Sequence, residues 1–148
     1  MSNHMNMQEI NPKAYQAMFA LEGFMATCSL SKNYKELIKI RASQINGCAY
    51  CLDMHTKDAL KNGESPQRIY TLSAWRETSF FTEEEMAILA FTEELTLIPS
   101  GISETTQARA AALFSEIELT EIIMAIVTIN AWNRIAISTH LKPIMDPK

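Results

Sequence analysis

Between about Glu121 and His140 the chain carries Ile122, Ile123, Met124, Ile126, Val127, Ile129, Ala131, Ile135 and Ile137. At helical spacing these positions fall on every face, and a helix that is apolar all round must be buried on most of its sides. The requirement dictates a bundle built around this segment. Elsewhere apolar residues also recur at helical rather than alternating spacing, and the polar residues between the runs read as caps. The pattern predicts an all-α domain of about six to seven helices. A chain of 148 residues is one domain of ordinary size, able to bury a core without disulfides or a structural metal. Because so small a domain surrounds only part of such a helix, the remaining surface, together with the Met-rich first helix, predicts a homo-oligomer.

The punctuation places the other helices. One begins after Asn11, with Pro12 in its first turn, and carries Tyr15, Met18 and Phe19 to about Ala26. A second runs from about Ser31 to Ile45 and stops at Asn46-Gly47, two residues that tolerate the left-handed conformation of a helix end. A third starts at once around Cys48 or Ala49 and passes through His55 to Asn62-Gly63. Ser65-Pro66 opens a short helix reaching Trp75. Thr82-Glu83-Glu84-Glu85 is a capping box for a helix ending near Pro99 and Gly101, and Ser103 caps the next, to about Phe114. Thr120 marks the start of the last.

Charge and cysteine usage narrow the function. Thirteen Lys and Arg against 17 Asp and Glu leave a net charge of −4, without the basic face that displaces counterions from phosphates, so nucleic acid is not expected as a partner. No apolar run is long enough to span a bilayer, and Met1-Ser2-Asn3-His4-Met5 does not resemble a signal peptide, which predicts a cytoplasmic protein with no membrane partner. Three cysteines are an odd number for a disulfide framework and point to reduced thiols with chemistry of their own.

That chemistry concentrates in Gly47-Cys48-Ala49-Tyr50-Cys51-Leu52-Asp53-Met54-His55. Cysteines three apart in the first turn of a helix face one side, and the unpaired N–H groups and macrodipole there favour a thiolate. His55 follows Cys51 by four residues, one turn along the same face, in reach of the thiol proton directly or through a water. Glu36 lies on the preceding helix, which folds back against this one, and its carboxylate would orient His55 and stabilise its protonated form. In this arrangement Cys51 attacks the O–O bond of a peroxide and becomes a sulfenic acid, Cys48 condenses with it to a disulfide, and a reductant reopens the bond.

Glu36, Cys48, Cys51 and His55 together resemble the Glu–(eleven residues)–Cys-x-x-Cys-x-x-x-His signature of the AhpD-like alkylhydroperoxidases in the carboxymuconolactone decarboxylase superfamily. Leu72-Ser73-Ala74-Trp75-Arg76-Glu77, Phe80-Phe81-Thr82-Glu83 and Ile129-Asn130-Ala131-Trp132-Asn133-Arg134 are also similar to segments common in its small members, and the likeness covers roughly residues 12 to 140. The resemblance implies an all-helical fold assembled as trimers or hexamers, and a peroxidase without metal or flavin. It also implies a dithiol reductant such as a lipoyl or thioredoxin-like protein. By the same carry-over Cys51 forms the sulfenic acid, Cys48 resolves it, and Glu36 and His55 relay the proton. Tyr50 stands where the best-described peroxidases of the family carry a second histidine. A phenol is a poor base at neutral pH, so Tyr50 is an auxiliary hydrogen-bond donor at most.

Other readings remain open at this level. Cys48 and Cys51 read alternatively as buried apolar thiols, or with His55 and Glu36 as a zinc site lacking the second ligand pair usual for structural zinc. The superfamily name suggests lactone decarboxylation, which needs acid–base groups rather than a dithiol. A non-enzymatic, redox-sensing helical oligomer is the third possibility. Cys28 has no partner in sequence and reads as a core or interface residue. Trp75 and Trp132 read as packing anchors, and Arg76 and Arg134 as partners of glutamates.

Overall fold

Asn6 and Asn11 each cap a helix with their own side-chain oxygens: Asn6 accepts from Glu9 N at the start of α1 (Met7–Ile10), and Asn11 from Ala14 N at the start of α2 (Pro12–Thr27). The structure, a computed structural model, describes residues 4–147 and contains no strand among them. After α2 come α3 (Lys32–Asn46), α4 (Ala49–Lys61) and α5 (Pro66–Thr71), then a 3-10 turn over Leu72–Glu77. The chain continues with α6 (Glu83–Thr96), a second 3-10 turn (Ile98–Ser100), α7 (Glu104–Leu113) and α8 (Glu116–Ser138). The all-α prediction holds, with eight α-helices among the described residues rather than six or seven. The extra one is the single turn α1, too short to carry a periodic pattern and dependent on Asn6.

Two boundaries also differ from expectation. The last helix begins at Glu116, well ahead of Thr120, because Ser115 and Glu118 form a capping box in which each side chain bonds the other residue's backbone N–H. The helix expected to reach Trp75 instead passes into the 3-10 turn after Thr71, with Ala74 outside helical geometry at φ −119°, ψ 32°. That turn is pinned by Glu93 of α6, which accepts from Trp75 Nε1 at 2.9 Å and Arg76 Nη1 at 2.5 Å while also pairing with Arg41 of α3. Trp75 and Arg76 thus take the anchoring and pairing roles expected of them.

The nearly all-apolar α8 is surrounded by α2, α3, α4, α6 and α7, and buries Ile122, Ala125, Ile126, Ile129 and Ala136 against them. α3 lies between α4, α6 and α8 and buries Leu37, Ile38, Ile40 and Ala42. Some of α8 stays uncovered in the single chain: Ile123 and Val127 are exposed, as are Phe19 and Phe24 of α2. Cys28 is half-buried against the core, with its thiol 3.2 Å from the Met25 carbonyl oxygen. No helix among the described residues is long and apolar enough to cross a membrane.

The junction between α3 and α4 positions the cysteines. Gly47 takes φ +68°, and the backbone bonds Cys48 N–Ser43 O (3.0 Å) and Gly47 N–Gln44 O (3.4 Å) close a Schellman turn. This satisfies the last carbonyls of α3 and leaves Cys48 as the N-cap of α4. A Cβ at Gly47 would meet nothing within 4 Å, so only backbone strain opposes a side chain there. Gly47→Ala is therefore expected to cost about 1–2 kcal/mol in a denaturant titration; an unchanged midpoint would show that the turn tolerates another conformation.

Candidate active site

Cys48 caps α4 and Cys51 lies in its first turn, so their sulfurs meet, 2.6 Å apart, as free thiols. Both side chains are buried, at 1% and 2% exposure. Burial, reinforced by the neighbouring Cys48 thiol, pushes the Cys51 thiol up from its ordinary value of 9.0 to about 12. The helix start therefore does not make Cys51 a resting thiolate, contrary to the expectation from spacing. Desolvation outweighs the dipole, and the thiol needs a base.

An imidazole stands one turn further on. His55, 8% exposed, turns Nδ1 toward Glu36 Oε2 at 3.4 Å, within ion-pair range but out of line for a hydrogen bond, and neither of these two buried atoms has another partner. Glu36 Oε1 accepts from Lys39 Nζ at 3.1 Å. Burial alone would raise the Glu36 pKa, but His55 and the Lys39 ammonium outweigh it and hold the carboxyl below its usual range. An anionic Glu36 favours the imidazole tautomer with its proton on Nδ1, leaving Nε2 as the basic nitrogen. Cys51 and His55 do not hydrogen-bond to each other. Both instead line one cavity of about 480 Å³.

The cavity is apolar and aromatic. Tyr15 sits edge-on to Trp132 at 5.4 Å and to Phe19 at 5.5 Å, and Glu22 accepts from Trp132 Nε1 at 2.8 Å. Trp132 is thus part of the cavity wall as well as a packing anchor. Cys51 reaches this wall, as does Tyr50, whereas Cys48 lies behind it. The N-terminal segment closes one side: Met5 N donates to Thr139 O at 3.1 Å and His4 Nδ1 lies 3.0 Å from the same oxygen. Among the described residues no three His, Cys, Asp or Glu side chains converge as metal ligands, so the sequence-level zinc set is not gathered into a coordination sphere.

Sequence reasoning missed the polar cluster behind the thiols. Asn46 Nδ2 donates to Asn130 Oδ1 and Asn133 Oδ1, both at 2.9 Å, and Asn133 Nδ2 donates to Ser43 Oγ at 3.0 Å. Arg134 donates to Asn130 rather than pairing with a glutamate. Asn130 and Asn133, two amides in the mostly apolar part of α8, are the available signal, since a buried amide is costly unless bonded.

Residues 12–94, more than half of the chain, match the model of the carboxymuconolactone decarboxylase family. The chain belongs to that family. The chain is 42% identical over 139 residues to the uncharacterized protein YdfG of Bacillus subtilis (strain 168), covering 93% of this chain and 95% of that one. ATU0492 from Agrobacterium tumefaciens, a protein of unknown function assigned to antioxidant defence as AhpD, has a crystal structure that matches with a TM-score of 0.92 at 38% identity, covering 96% of this chain and 99% of that one. An uncharacterized peroxidase-related protein from Silicibacter sp. TM1040 shares the fold, at 24% identity, a TM-score of 0.79, and coverage of 90% and 72%. The family member described here is thus AhpD-like in fold.

The protonated Cys51 has a consequence for stability. Because folding raises its pKa, its contribution is fully present below the unfolded value and is lost as pH rises from 9.0 toward about 12. Over that alkaline interval the wild type is expected to lose unfolding free energy more steeply than Cys51→Ser, with parallel behaviour near neutrality. Curves of equal slope throughout would mean that Cys51 ionises freely in the folded chain.

Proposed function

We propose that the protein is a thiol-dependent peroxidase that reduces organic hydroperoxides through a Cys48–Cys51 dithiol/disulfide cycle. The observation that carries this reading is the meeting of the two sulfurs 2.6 Å apart, with Cys51 and His55 on the wall of one apolar cavity. Family membership and the AhpD-like relatives support an enzyme of peroxidase-related or decarboxylase type. The dithiol favours the first, since removing carbon dioxide from a lactone acid calls for proton transfer and uses no thiol pair.

A hydroperoxide enters with its organic group against Trp132, Tyr15 and Met54. His55, oriented by Glu36, takes the Cys51 proton, and the thiolate attacks the terminal peroxide oxygen. The S–O bond forms as the O–O bond breaks, leaving a sulfenic acid on Cys51. The alkoxide takes the proton from His55 and departs as the alcohol. The Cys48 thiol then attacks the Cys51 sulfur, forming the disulfide and releasing water. A dithiol partner, such as a lipoyl or thioredoxin-like protein, restores both thiols by exchange and leaves as its own disulfide. Exposed Ile123, Val127, Phe19 and Phe24 would be covered in a homo-oligomer, trimeric or hexameric by the family resemblance.

Titrating the reduced protein with an organic hydroperoxide tests the cycle. One equivalent of peroxide should consume two thiols and lower the mass by two hydrogens, mapped to Cys48–Cys51. Cys51→Ser should abolish turnover, and Cys48→Ser should accumulate the sulfenic acid. Thiols that stay free, or turnover that survives Cys51→Ser, would overturn the reading.

A further inference from the structure

The sulfurs of the pair are shut in: Cys48 is 1% and Cys51 2% exposed, and of the two Cys51 alone lines the cavity. A hydroperoxide fits a space of about 480 Å³. The dithiol that reopens the disulfide is carried on a protein, and exchange requires its sulfur to come into line with the Cys48–Cys51 bond. Part of the wall has to move for that. The part held least firmly is the N-terminal segment. Residues 4–8 line the cavity beside Cys51, His55 and Trp132. They run into α1, a single turn that buries none of its residues, with Met5 55% and Ile10 69% exposed. At its free end Met5 N (3.1 Å) and His4 Nδ1 (3.0 Å) both donate to Thr139 O. Thr139 is the C-cap of α8, so its carbonyl lies beyond the helix's own bonding and takes these donors instead. At the other end Asn11 closes α1, its N–H donating to Met7 O, while its Oδ1 caps α2 by accepting from Ala14 N at 3.2 Å. A rotation in the backbone just before Asn11 lifts the segment and leaves the cap of α2 in place.

We propose that residues 4–10 form a strap, latched on Thr139 and hinged at Asn11, that sorts by size what reaches Cys51. Closed, it admits a small hydroperoxide; lifted, it admits the dithiol of a reducing protein. Because Cys48 lies behind the wall, the reductant attacks Cys51. Its thiolate forms a bond to the Cys51 sulfur as the Cys48–Cys51 bond breaks, and Cys48 leaves as a thiolate and takes a proton. The reductant's second thiol then displaces Cys51, giving up its own proton as Cys51 gains one, and the reductant departs as its disulfide. Lifting costs little, since α1 buries no side chain and water replaces the strap as partner of the Thr139 carbonyl.

The inference rests on the dithiol cycle for its purpose, but its test needs neither peroxide nor reductant. Reduced full-length protein is alkylated with N-methylmaleimide and, separately, with a maleimide bearing a long polyethylene glycol chain. The loss of unmodified Cys51 is followed by peptide mass. The ratio of large-reagent to small-reagent rates cancels any change in the thiolate fraction, and Cys28, which does not line the cavity, serves as internal reference. Met5→Pro removes the N–H that latches on Thr139, and His4→Ala removes the ring nitrogen. Each should raise the Cys51 ratio about threefold or more, and the double variant about tenfold or more. Asn6→Ala, which uncaps α1, should move the ratio in the same direction. The Cys28 ratio and the unfolding temperature should keep their wild-type values. An unchanged Cys51 ratio in the double variant, or an equal rise at Cys28, overturns the proposal. If the ratio moves as stated while peroxide leaves the thiols untouched, the strap stands and the peroxidase reading falls. If the dithiol cycles with peroxide while the ratio stays fixed, the strap alone falls.

Discussion

The left-handed turn at Gly47 is where three helices acquire their relation to one another. It ends α3 by satisfying the carbonyls of Ser43 and Gln44, makes Cys48 the cap of α4, and sends α4 back along α3. The antiparallel return brings His55 to Glu36 even though nineteen positions separate them in sequence. It also leaves Asn46 at the end of α3, where its side chain bonds the two asparagines of α8. Thiols, base, carboxylate and the amide cluster all take their places from this one junction.

Burial then decides how the site works. A thiol at 2% exposure resists ionisation more strongly than a helix N-terminus encourages it, so Cys51 rests protonated. In the proposed cycle, reactivity depends on what enters the cavity and on His55. Glu36 supplies the matching electrostatics, kept anionic by His55 and Lys39 against its own burial. The largely apolar wall around Tyr15, Met54 and Trp132 lowers the local dielectric, which strengthens each of these interactions.

What the sequence made legible was local, and what it concealed was depth and distance. The stop at Asn46-Gly47, the capping box at Thr82 and the helical phasing of Cys48, Cys51 and His55 are written in consecutive residues, and all are found where expected. The equivalent box at Ser115 was as readable, but Thr120 drew the boundary too late. Spacing shows which face a cysteine shares and not how deeply that face is buried, so the direction of the Cys51 shift was misjudged. Asn130 and Asn133 carry no local sign of the bonds that join them to Asn46, 84 and 87 residues away. The contact between His4 and Thr139, 135 positions apart, had no local signal at all.

In the proposed cycle a buried, protonated Cys51 becomes a nucleophile through His55. Single-turnover oxidation of the reduced protein by an organic hydroperoxide, measured against pH in the wild type and in His55→Gln, tests it most directly. The wild-type rate is expected to change little with pH around neutrality, and the variant to be slower by about a hundredfold or more and to rise about tenfold per pH unit as hydroxide replaces the missing base. Superimposable profiles would contradict it, because Cys51 would then be ionising without help from His55.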